Sequence, residues 1–136
     1  MVVFIKIEVH KERDRHALRA RDRILARNRA LLAANVQTLE RFFARHTDRF
    51  DWYRPDGGCI AYPRYKGAEG VERWVSGLVE RTGVLLLPGS IYLSQLTPAP
   101  TDRFRIGYGR AHLDAGLAAL EADLRPPRAA RGSDRK

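Results

Sequence analysis

TDRFRIGYGR, residues Thr101–Arg110, alternates as a strand does. Phe104, Ile106 and Tyr108 share one face, and Arg103, Arg105, Gly107 and Gly109 share the other. The first face suits a core. The second sets Arg105 beside residues that have no side chain. A guanidinium next to such space suits a planar anion, because arginine grips a carboxylate with two parallel hydrogen bonds. The plainer alternative is a half-buried strand with a solvated arginine.

The surrounding chain has 136 residues, the size of one domain with a core of its own. Its apolar fraction of 44% and charged fraction of 30% are those of an ordinary globular protein. The apolar start Met1–Val9 is short and carries Lys6 and Glu8, which argues against a signal peptide or a membrane span. Cytoplasmic residence is the expectation. Cys59 is alone, which excludes an intrachain disulfide and a cysteine-based metal site. His10, His16, His46 and His112 show no metal-ligand spacing with carboxylates. The net charge of +9 comes mainly from arginines between Lys11 and Arg49 and in the last dozen residues. Residues 50–124 are nearly neutral, so the charge argues only weakly for a nucleic-acid partner.

Val2–Val9 alternates as a short strand, and Lys11–Arg45 has helical periodicity. Leu18, Leu25, Leu32 and Leu39 recur every seven residues, which raises a basic zipper as one reading. Four residues after each leucine stand Asp22, Arg29, Val36 and Phe43. A two-stranded seam needs apolar residues at both positions, so an amphipathic helix on a sheet is the better reading. Arg49–Gly58 ends that helix in the turn Pro55-Asp56-Gly57-Gly58. Cys59–Tyr65 reads as a strand, with Pro63 demanding an edge or a bulge. Gly67–Thr82 reads as a second helix stopped by Gly83, and Val84–Leu87 as a short apolar strand. Ile91–Pro100 reads as a loop, and Ala111–Leu124 as a last helix.

The expected fold class is α/β, specifically an α+β two-layer sandwich. A small antiparallel or mixed three-stranded sheet is covered on one face by helices and preceded by a long helix. The expected boundaries are 1–10 for an atypical N-terminal strand, 11–124 for the folded domain and 125–136 for a disordered basic tail. The connection of about fifteen residues between the last two strands is long enough to suggest a functional loop.

Four segments then carry a resemblance. RDRILARNRALLAANVQTLERFF leads into Pro55-Asp56-Gly57-Gly58, followed by GGCIAYPRYKG, TGVLLLPGS and FRIGYGR, in that order. Together they resemble the C-terminal small domain of class I/II, fold-type I aminotransferases, over about residues 17 to 124. The resemblance implies pyridoxal phosphate as cofactor and amino-group transfer between an amino acid and a 2-oxo acid. It also implies that Arg105, in the F-R-I strand, binds the substrate α-carboxylate. The residues around Pro88-Gly89-Ser90 would lie near the substrate entrance.

The departures from that family set a limit. The large cofactor domain is not in this chain. None of Lys6, Lys11, Lys66 and Lys136 has the serine-rich strand and glycine- and arginine-containing turn that surround the Schiff-base lysine. No catalytic, cofactor-binding or metal-binding residue is therefore assigned, and this chain alone is expected not to transaminate. It reads as a fragment, one part of a split enzyme or a remnant, partnered by a large-domain chain or a second copy. An arginine-rich nucleic-acid-binding module and a non-catalytic interaction module are the alternatives.

Overall fold

A computed structural model describes residues 18–98 and 100–125. The expected strand Val2–Val9 and nearly all of the basic tail lie outside the described residues.

Helix α1 spans Arg21–Arg45. Its uninterrupted run of Ala, Leu and Arg favours helix by propensity. Its buried residues are Val36, Leu39, Phe42 and Phe43, all in the second half. The first turns stand clear of the core, with Ile24 exposed, and contact with it begins at Leu32. Leu39, from the seven-residue repeat, packs inside this chain's own core.

Phe50–Asp51 forms strand β1, Ile60–Ala61 β2 and Arg64–Tyr65 β3. The single strand expected over Cys59–Tyr65 is thus interrupted at Tyr62-Pro63. Pro63 has no backbone N–H to donate, yet its carbonyl still accepts from Phe104 N at 3.1 Å and its ring is fully buried. Helix α2 covers Val71–Thr82, beginning four residues later than expected because Gly67 and Gly70 form the approach to it. Gly83 terminates α2 in the left-handed conformation, at φ 72°, which glycine adopts without a Cβ penalty. Leu87–Pro88 forms β4, Gly89–Tyr92 a 3-10 turn, Phe104–Gly107 β5 and Leu113–Leu124 helix α3. Of the expected strand Val84–Leu87, only Leu87 pairs in the sheet.

The sheet order is β2-β5-β4, antiparallel throughout. Ile60 lies opposite Gly107, and Leu87 opposite Arg105. A second ladder pairs β1 with β3, Phe50 opposite Tyr65. The bridge Arg64–Arg103 joins the two ladders. The result is an α+β fold, as the periodicities require. The pair β1 is the element not expected, since two residues carry no readable alternation.

Phe104, Ile106 and Tyr108 turn inward, as the alternation of β5 requires, and pack against all three helices. Phe50 sits at the centre of the aromatic core. Its ring centroid is 5.4 Å from Phe43, 5.5 Å from Trp74 and 5.8 Å from both Tyr65 and Phe104. Tyr65 stacks on Trp74 at 4.3 Å. Its hydroxyl donates to Glu69 and accepts from Arg49 Nη2 at 3.2 Å.

Phe50→Ala should lower the unfolding free energy by about 3–5 kcal/mol, read from a urea titration, because it opens a cavity that the surrounding rings cannot fill. A change below about 1 kcal/mol would contradict this packing. A second expectation concerns alkaline pH. Burial, aided by the hydrogen bond to Glu69, pushes the Tyr65 phenol from its ordinary 10.0 up to about 12. Above pH 10 the unfolded chain releases this proton while the folded chain keeps it, so stability must fall as pH rises towards 12. Tyr65→Phe should make that alkaline decline shallower, though not abolish it, because burial also raises Tyr62 and Tyr108.

Candidate functional site

Strand β5 presents Arg105 on the face away from the helices. The two-residue repeat of β2 and the pairing of Ile60 with Gly107 bring Ile60 and Tyr62 to that same face. The 3-10 turn supplies Tyr92, and the following loop supplies Pro100. Together Ile60, Tyr62, Tyr92, Pro100 and Arg105 line a shallow, open cleft of about 410 Å³. Arg105 is the only charged residue among them.

Of the half-buried described arginines Arg49, Arg103 and Arg105, Arg105 differs in its pairing, as it does from several exposed ones. Arg64 is held by Asp102 at 2.6 Å and approaches Asp51 at 3.5 Å. Arg81 grips Asp123 with two bonds, of 2.6 and 2.9 Å. Arg54 pairs with Glu40, and Arg45 with Glu121 at 3.4 Å. Arg103, on the same strand face as Arg105, lies over the Tyr53 ring at 4.5 Å and donates to the Tyr62 carbonyl at 3.3 Å. Arg105 is half-buried, and its side chain makes no hydrogen bond or ion pair with any described residue. A cation so placed can take an anion without first breaking an internal pair.

Gly89 explains how the aromatic wall is held. A Cβ at this position would lie 2.3 Å from the Tyr62 hydroxyl, 2.8 Å from the Pro100 carbonyl and 3.1 Å from the Arg103 carbonyl. Its own N–H donates to Arg103 O at 2.7 Å. Pro88-Gly89-Ser90 therefore works as a close approach of backbone to Tyr62. Burial pushes the Tyr62 phenol up, opposed by the Arg103 guanidinium.

The glycine-lined opening expected beside Arg105 is corrected in one respect. Gly107 has open space around it, but it lines a different cavity of about 210 Å³, between Val84–Leu86 and the start of α3. Gly109 is closed off by Cys59, whose Cβ would stand 2.9 Å from an added Cβ. Aromatic and aliphatic side chains make the walls beside Arg105. Tyr62 and Tyr92 were not singled out by the sequence, because strand register and the distant turn Gly89–Tyr92 bring them together. The spacing of Ile60 and Tyr62 was the available signal.

Lys66 forms an ion pair with Asp51 at 3.0 Å and donates to the Thr47 carbonyl. The Lys66 ammonium, bonded to the Asp51 carboxyl, holds it below the usual aspartate range. Lys6, Lys11 and Lys136 lie outside the described residues. Among the described residues no cluster of His, Cys, Asp or Glu could hold a metal ion. No described helix is long and apolar enough to cross a membrane.

No family model matches the chain. Capreomycidine synthase of Streptomyces vinaceus is 36% identical over 72 residues, which are 52% of this chain and 17% of that protein. The fold is similar to a pyridoxal-phosphate-dependent aminotransferase from Streptococcus suis 89-1591, with a TM-score of 0.70 and 25% identity over 80% of this chain and 28% of that one. It is also similar to the pyridoxal-phosphate-dependent cyclase OrfR, with a TM-score of 0.68 and 29% identity over 80% of this chain and 29% of that one. The chain thus matches part of pyridoxal-phosphate-dependent enzymes, and it spans less than a third of the length of each.

Gly89→Ala should cost about 1–3 kcal/mol, the usual penalty for forcing atoms into a filled space. Thermal unfolding of the variant checks it, and an unchanged midpoint would mean that the Pro100 and Arg103 carbonyls do not close on Gly89 as described.

Proposed function

We propose that the chain is the C-terminal small domain of a pyridoxal-phosphate-dependent enzyme of the aminotransferase kind, and that Arg105 binds the α-carboxylate of its amino-acid or 2-oxo-acid substrate. The observation that carries this reading is Arg105, half-buried, its side chain unengaged by described residues, lining an open cleft whose walls are otherwise apolar. A carboxylate presents the two coplanar oxygens that such a fork receives. The similarity to an aminotransferase and a cyclase supports the chemistry class.

The described residues do not fit the cofactor's covalent anchor. Lys66, the one lysine among them, is tied to Asp51 and Thr47 and does not line the Arg105 cleft. The role these residues suit is to bind and orient the substrate. The exposed Ile91, Leu93 and Leu96 on the loop that borders the cleft offer apolar surface for protein that supplies the remaining machinery. That protein would be a large-domain chain or a second copy.

Two measurements test the proposal. With pyridoxal phosphate, an amino acid and a 2-oxo acid, the chain alone should give no saturable turnover. A Schiff-base absorbance band lost in a single lysine variant would refute the orienting-only role. Pyruvate, titrated by two-dimensional NMR, should shift the amides of β2, β5 and the 3-10 turn. Arg105→Ala should weaken that binding about tenfold or more, the worth of one charge-assisted pair. Equal affinity in the variant would remove Arg105 from the role.

A further inference from the structure

Resting on the carboxylate reading of Arg105, we infer that the cleft selects 2-oxo and 2-amino monocarboxylates with apolar side chains, and that Tyr62 and Tyr92 set this selectivity.

The cleft holds a single charge, and the other four lining residues are Ile60, Tyr62, Tyr92 and Pro100. Once the substrate carboxylate meets Arg105, whatever extends from the α-carbon along the cleft meets rings and aliphatic carbon. An aliphatic or aromatic side chain gains by leaving water there, at about 25 cal/mol per Å² buried. A second carboxylate gains no second cation. The guanidinium that could have served, Arg103, is committed to the Tyr53 ring and the Tyr62 carbonyl and does not line the cleft. An acidic side chain laid along these walls would lose part of its hydration against carbon and gain no cation in return.

The wall is built rather than incidental. Tyr62 extends across the sheet until its hydroxyl rests against Gly89, where an added Cβ would stand 2.3 Å from it. Arg103 fixes the same residue from its backbone side through the Tyr62 carbonyl. Tyr92 closes the 3-10 turn that begins at Gly89, so one turn positions both rings. Selectivity then follows from apolar contact at the walls, with Arg105 serving every 2-oxo acid alike.

The test is an NMR titration of the full chain with pyruvate, 4-methyl-2-oxopentanoate and 2-oxoglutarate. The apolar acid should bind about tenfold tighter than either of the other two, the scale expected for partial burial of a few methylenes. Tyr62→Ala and Tyr92→Ala should each reduce that preference by weakening 4-methyl-2-oxopentanoate more than pyruvate, while Tyr62→Phe should keep it. Should Tyr62→Ala fail to fold, Tyr92→Ala alone decides. If 2-oxoglutarate binds as tightly as 4-methyl-2-oxopentanoate while Arg105→Ala still weakens pyruvate, the selectivity is wrong and the carboxylate reading stands. If the preference survives in folded Tyr92→Ala and in any folded Tyr62→Ala, the rings are not its source. If pyruvate binding is absent or indifferent to Arg105→Ala, the carboxylate reading fails, and this inference with it.

Discussion

The burial of one ring, Phe50, organises the rest of this fold. It lies within 6.3 Å of five other aromatic centroids, drawn from α1, β3, α2 and β5. Edge and tilted contacts of this kind add to the area term, and here they come from four elements separated widely in sequence. The two ladders of the sheet meet beside it, Phe50 pairing with Tyr65 and Phe104 with Pro88. Fixing Phe104 inward fixes Arg105 outward, because neighbouring residues of a strand face opposite ways. The polar feature on one side of β5 is thus oriented by the apolar contact on the other.

The sheet consequently has two unlike faces. The inner one is closed by α1, α2 and α3. The outer one carries Arg105 between Ile60 and the tyrosines, with apolar side chains on the neighbouring loop left in water. The formal charge of +9 has little bearing on that face. Several arginines of the folded body are spent on nearby carboxylates, whereas those of the first half of α1 project into solvent.

Elements with a sustained period were legible from the chain: α1, α2 and α3, the inward set Phe104, Ile106 and Tyr108, and Gly83 as a helix stop. What escaped was short or non-local. Phe50–Asp51 is too brief to show a period, though its ring anchors the core. Pro63 signalled an irregularity but not its form, a buried ring that splits one strand into two, β2 pairing with β5 and β3 with β1. The outward face of Arg105 was readable from the alternation of its strand, while its choice over Arg103 came from the family resemblance. Its neighbours could not, because Tyr62 and Tyr92 are joined only by strand register and by the room that Gly89 leaves.

The uneven seating of α1 has a consequence for motion. Its 25 residues extend about 37 Å at 1.5 Å each, yet every fully buried side chain falls between Val36 and Phe43. Its start at Ala20 has no side-chain hydrogen bond to cap it. An unsupported helix of three turns is marginal in water. Amide exchange along α1 should therefore follow a gradient, fast near Arg21 and as slow as global opening near Leu39, so that the helix behaves as a rod clamped at one end only.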